Sequence, residues 1–85
     1  MYQITVHRRA IKFLSKISHK DAQQIVDKID QLAHDPFASS LQIKKLETSG
    51  NSYRLRIGAI RVVYEVDTDT KYIYIDDINF RGNIY

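Results

Sequence analysis

Eighty-five residues with 44% hydrophobic and 27% charged side chains make one soluble globular domain with a single modest core, and exclude a multidomain chain. Cysteine is absent, which excludes disulfides and thiolate metal sites, and no apolar run is long enough for a signal peptide or membrane span, so a cytoplasmic protein is expected. The net charge of +3 is mild but uneven: residues 36–64 carry five basic and one acidic group, residues 65–85 two and five.

Tyr2-Gln3-Ile4-Thr5-Val6 alternates β-forming residues and predicts a first strand. Ala10, Phe13, Leu14 and Ile17 then fall at helical spacing, giving a short amphipathic helix. Ser18-x-x-Asp21 resembles a capping box ahead of a second helix, whose apolar stripe is Ala22, Ile25, Val26, Ile29, Leu32 and Ala33. The few residues between the helices predict an antiparallel helical hairpin. Asp35-Pro36 stops the second helix, because the residue before proline avoids helical geometry.

Residues 36–51 read as a polar connector anchored by Leu41, Ile43 and Leu46, ending in the loop signal Ser49-Gly50-Asn51-Ser52. Two strands follow, around Tyr53–Ile57 and Ile60–Val66, then a turn at Asp67-Thr68-Asp69-Thr70 and a last strand from about Lys71 to Phe80. In that last strand Ile73 and Ile75 share a parity that Ile78 breaks after Asp76-Asp77. Either a bulge re-aims the chain there or both faces are partly covered. The predicted order is β-α-α-β-β-β: an α+β domain spanning 1–85, with a largely antiparallel four-stranded sheet packed on a helical hairpin.

The middle hairpin carries the strongest functional signal. Side chains alternate along a strand, so Tyr53, Leu55 and Ile57 lie on one face and Arg54 and Arg56 on the other. With Gly58-Ala59 as a two-residue turn of the type with glycine first, Ile57 faces Ile60, Arg56 faces Arg61 and Leu55 faces Val62. Like charges directly opposite one another destabilise a sheet, so this placement points to an anion. Phosphate suits it, because guanidinium forks bind phosphate in a bidentate way. A basic segment of this kind suggests a nucleic-acid partner, against the plainer alternative of a solvated strand face.

Three stretches carry a resemblance covering nearly the whole chain: Lys44-Lys45-Leu46, then Tyr53-Arg54-Leu55-Arg56-Ile57-Gly58-Ala59-Ile60-Arg61-Val62-Val63-Tyr64, then the ending Phe80-Arg81-Gly82-Asn83-Ile84-Tyr85. In order and spacing they resemble the RelE/ParE superfamily of bacterial and archaeal toxins from toxin–antitoxin modules. RelE-like members cleave messenger RNA in the ribosomal A site without a metal; ParE-like members share the fold, lack the nuclease residues and poison DNA gyrase. The RelE-like pattern has basic residues before the hairpin turn, an arginine just after it, and a late arginine and tyrosine. On this chain those positions are Arg54 and Arg56, Arg61, and Arg81 and Tyr85, which favours the nuclease branch.

The resemblance implies attack by the 2′-hydroxyl on the adjacent phosphodiester. Arg56 and Arg61 would stabilise the anionic phosphorane and Arg54 hold a neighbouring phosphate. Arg81 would donate to the leaving group or add positive charge; a guanidinium with a pKa above about 12 favours the electrostatic role. Tyr85 is the candidate general base; an unperturbed phenol titrates near about 10, so nearby cations would have to lower it. Its terminal α-carboxylate offers another base, or a partner for Arg81. Lys44 and Lys45 are equally readable as contacts to RNA or as solvation of the connector. Phe80 stands where many family members place a histidine, and His7, His19 and His34 lie elsewhere, so cleavage of free RNA is expected to be slow without the ribosome.

Other signals are weak. Asp76-Asp77 cannot share a metal without a bulge, and Asp67-x-Asp69 lacks the later ligands of a calcium loop, so no metal and no cofactor are expected. The resemblance implies a cognate antitoxin, with the ribosome and mRNA as targets. A gyrase poison, or an inactive toxin retained in an antitoxin-bound repressor, are the competing expectations.

Overall fold

The structure is a computed structural model that describes residues 1–46 and 50–80. Its elements run β1 (Gln3–Val6), α1 (Arg8–Lys16), α2 (His19–His34), β2 (Gln42–Lys45), β3 (Ser52–Ile57), β4 (Ile60–Asp67) and β5 (Tyr72–Phe80). They form one sheet in the order β1-β5-β4-β3-β2, with β1 parallel to β5 and every other neighbour pair antiparallel. The α+β order expected from the sequence therefore holds, with five strands in place of four. The added strand, β2, lies in the segment read as a connector. Its sequence Gln-Ile-Lys-Lys is four residues long, and short charged stretches are typical of sheet edges and carry little β-signal of their own.

Both helices start on side-chain caps. His7 accepts from the Arg9 N–H at 3.1 Å through Nδ1, and the Ser18 hydroxyl accepts from the Asp21 N–H at 3.2 Å, as its place in the capping pattern predicts. The second helix ends at His34, with Asp35 in extended geometry ahead of Pro36. Ala10 from α1 and Ile25, Ile29 and Leu32 from α2 pack against Leu55, Val62, Tyr64, Val66, Ile73, Ile75 and Ile78 of the sheet. Burying each branched side chain contributes about 1.5–3 kcal/mol. This core fixes which parity of β3, β4 and β5 faces the helices.

One buried contact ties the connector to the sheet. Tyr64 is fully buried, and its hydroxyl donates to the Pro36 carbonyl at 2.9 Å. Burial drives its phenol well above the usual tyrosine range, so it stays a neutral donor. Tyr53 stacks on Tyr64 at 5.7 Å between ring centroids, and Phe37 meets Tyr53 edge-on at 5.2 Å. That aromatic row holds the end of α2 against the middle of the hairpin.

The last strand contains a bulge, one of the two alternatives its parity conflict allowed. Val63 pairs with Asp77 but Tyr64 pairs with Ile75, so Asp76 is the extra residue. Ile73, Ile75 and Ile78 thereby all reach the core.

Candidate nucleic-acid interface

The β3–β4 turn is as the sequence predicts. Ile57 pairs with Ile60, Arg56 with Arg61 and Leu55 with Val62. Gly58 has φ 57, whereas Ala59 is not in the positive-φ region, which matches a two-residue turn with glycine first. A Cβ on Gly58 would meet nothing within 4 Å, so the backbone angle, and not crowding, calls for glycine.

Leu55 and Val62 face the core, so the arginines between and beside them face away from the helices. Two cross-strand rows result on that open face. One is Gln42, Arg56, Arg61, Asn79; the other is Lys44, Arg54, Val63, Asp77. With adjacent strands about 4.8 Å apart, the four cations sit within roughly 10 Å of sheet. Arg56 is exposed, while Arg54 and Arg61 are half-buried and the Arg61 Nε is shielded from solvent. Partial desolvation strengthens the attraction of such guanidiniums for an incoming anion.

The sequence-predicted residues divide as follows. Arg54, Arg56, Arg61 and Lys44 share the open face. Lys45 pairs with Tyr53, which packs against the core, so it has the opposite parity and projects from the strand end. Arg81 and Tyr85 lie outside the described residues. The face continues into an acidic end: Glu65 pairs with Tyr74, and the bulge places Asp76 beside Glu65. The Asp76 carboxyl is pushed up to about 7, first by burial, then by the hydrogen bond and negative charge of Glu65, with Arg9 pulling it down and Asp77 adding to the rise. Among the described residues no three His, Cys, Asp or Glu side chains are grouped as a metal site. No helix among them is long and apolar enough to cross a membrane.

A cavity of about 800 Å³ lies elsewhere, between α1, the start of α2 and the end of β5. Its wall includes Arg9, Lys12 and Lys16 above Phe13 and Phe80, whose rings meet edge-on at 5.4 Å. A smaller cavity of about 210 Å³ lies at the β2 edge and is lined among others by Lys28, Leu41, Leu55 and Arg56.

Known proteins resemble this chain in sequence and fold. Residues 4–85 match the family described as the ParE toxin of type II toxin–antitoxin system, parDE. A Methanocaldococcus jannaschii protein named as the toxin RelE1 is 31% identical over 85 residues, covering 99% of this chain and 94% of its own length. The toxin in the archaeal RelE–RelB complex of Pyrococcus horikoshii OT3 superposes with a TM-score of 0.85 at 28% identity, covering 96% of this chain and 97% of that one. The toxin of the intact E. coli RelBE complex has the same fold, with a TM-score of 0.80 at 18% identity over 94% of this chain and 96% of its own. The hairpin, the two-helix layer and these matches converge: the chain belongs to the ParE toxin family of type II toxin–antitoxin systems and is a RelE-like toxin.

Proposed function

We propose that this toxin is a ribosome-dependent mRNA endonuclease that cleaves without a metal by attack of a 2′-hydroxyl on the neighbouring phosphodiester. The observation that carries the reading is the direct opposition of Arg56 and Arg61 on the open face, with Arg54 one residue pair away. Two guanidiniums held in register by buried neighbours supply fixed positive charge where a phosphorane would gain negative charge. In the proposed reaction the 2′-oxygen bonds to phosphorus, the bond to the 5′-oxygen breaks, and water protonates the leaving oxygen, so that a cyclic 2′,3′-phosphate and a 5′-hydroxyl result. Tyr85 takes the proton of the 2′-hydroxyl and Arg81 adds charge near the leaving oxygen, by analogy of position with RelE-like toxins. Arg54 and Lys44 hold flanking phosphates, and Lys45 contacts RNA beyond the rim of that face. The cytoplasm is the proposed location, and a cognate antitoxin the proposed partner, as the RelE–RelB complexes support.

A second reading is a gyrase poison, favoured by the family description as a parDE toxin. Expression in cells separates the two. The endonuclease reading expects growth arrest with new message ends at ribosome-occupied codons, lost in Arg61→Ala. Arrest with intact messages and a DNA-damage response would establish the second reading.

A further inference from the structure

We propose that the open face of the sheet pairs with the same face of a second copy of this chain, the cationic end of each lying on the acidic, tyrosine-bearing end of the other. The pairing does not rest on the RNA-cleaving reading. Strand register divides the face into two ends of opposite sign. The two rows nearest the β3–β4 turn carry Arg56, Arg61, Lys44 and Arg54 against one acid, Asp77. The next two rows carry Glu65, Tyr74 and Thr5, then Asp67, Tyr72 and Gln3. Ile73 and Ile75 are buried towards the helices, so Tyr72 and Tyr74 share the open face; the burial of Tyr64 and Val66 puts Glu65 and Asp67 there too. Among the described residues neither of these two rows holds a lysine or an arginine. The adjoining Lys71 lies over the ring of Tyr2, 5.1 Å from its centroid, and Tyr2 packs against the core.

Tyr72 and Tyr74 are each 39% exposed, with rings inclined by 17° and centroids 6.0 Å apart. Aromatic surface beside carboxylates fits arginine, whose flat guanidinium stacks on rings and forks to carboxylates. The other end of the same face offers those arginines. A two-fold axis in the interface, running across the strands midway between the Val63 and Glu65 rows, turns one copy end for end on the other. Arg61 then lies opposite Asp67 of the second copy, and Arg54 opposite its Ser52 with Glu65 one strand away. No like charges meet directly, and each contact occurs twice, as a closed pair requires. Five strands of four to nine residues, each residue covering about 3.3 by 4.8 Å of sheet, give roughly 500 Å² of face per copy. Two such faces make roughly 1,000 Å², the threshold of a specific interface, which suits a weak, reversible dimer. The dimer covers Arg56 and Arg61, so it excludes any ligand they hold.

Sedimentation velocity on the full chain, over rising concentration at low and high salt, tests this. The unaltered chain should pass from monomer to dimer, and salt should weaken the dimer by screening its ion pairs. Arg54→Glu alone and Glu65→Lys alone each bring like charges together twice per dimer and should weaken pairing about tenfold or more. An equimolar mixture of these two variants joins opposite charges again and should dimerise as the unaltered chain does. Arg56→Glu, which relieves a like-charge pair within the fold, faces Asp67 of the second copy from one strand away and should also weaken the dimer. A chain that stays monomeric into the millimolar range overturns the proposal. So does a dimer that these variants keep, or a mixture that fails to restore it. None of these outcomes depends on whether the chain cuts RNA, so the endonuclease reading stands or falls separately.

Discussion

Arg56 and Arg61 lie directly opposite each other on the β3–β4 ladder, on the face turned away from α1 and α2. Such a like-charge pair weakens the ladder, so function and stability should pull against each other here. Arg56→Glu converts the pair into one of opposite sign and should stabilise the fold by about 0.2–1 kcal/mol. For a domain of this size that raises the melting temperature by roughly 1–8 °C. Thermal unfolding should record the gain in a protein that no longer arrests growth.

The Tyr64 hydroxyl donates to a buried acceptor, the carbonyl of Pro36. Tyr64→Phe leaves that carbonyl without its donor and should cost about 1–3 kcal/mol. Urea unfolding should show a lower midpoint at an unchanged slope, since the surface exposed on unfolding stays the same. The arginine face lies on the other side of the sheet and should keep its activity.

Asp76 gives the fold a pH dependence. In the folded chain it holds a proton up to about pH 7, whereas its ordinary value is 3.8. Between those values the folded state binds more protons than the unfolded one, so this group's contribution falls as pH rises through the window. The charges that face it are Glu65, Asp77 and Arg9. Urea midpoints at about pH 4.5, 6 and 7.5 should decline less in Asp76→Asn than in the unaltered chain, with the largest gain at the highest pH.

Much of this molecule is legible one-dimensionally, and the exceptions have physical causes. The Arg56–Arg61 register follows from strand alternation and a glycine-first turn, both local rules. Ser18 and Asp35-Pro36 bound α2 for equally local reasons. The parity conflict of Ile75 and Ile78 signals a bulge, yet the place of the extra residue at Asp76 depends on how β4 pairs. Strand β2 escapes because an edge strand of four residues owes its form to pairing with β3. Lys44 and Lys45 read as one basic pair, but successive strand residues part company, and only Lys44 joins the arginines.

In an endonuclease of this kind Arg56 and Arg61 act together on one phosphate. Cleavage of a defined message on ribosomes, compared for the unaltered chain, Arg56→Ala, Arg61→Ala and the double variant, measures that coupling. Joint action predicts that each single change slows cleavage and that the double variant is faster than the product of the two losses, with a coupling energy of at least about 0.5 kcal/mol. Two losses that multiply without coupling, or single variants that cut at the full rate, would contradict it.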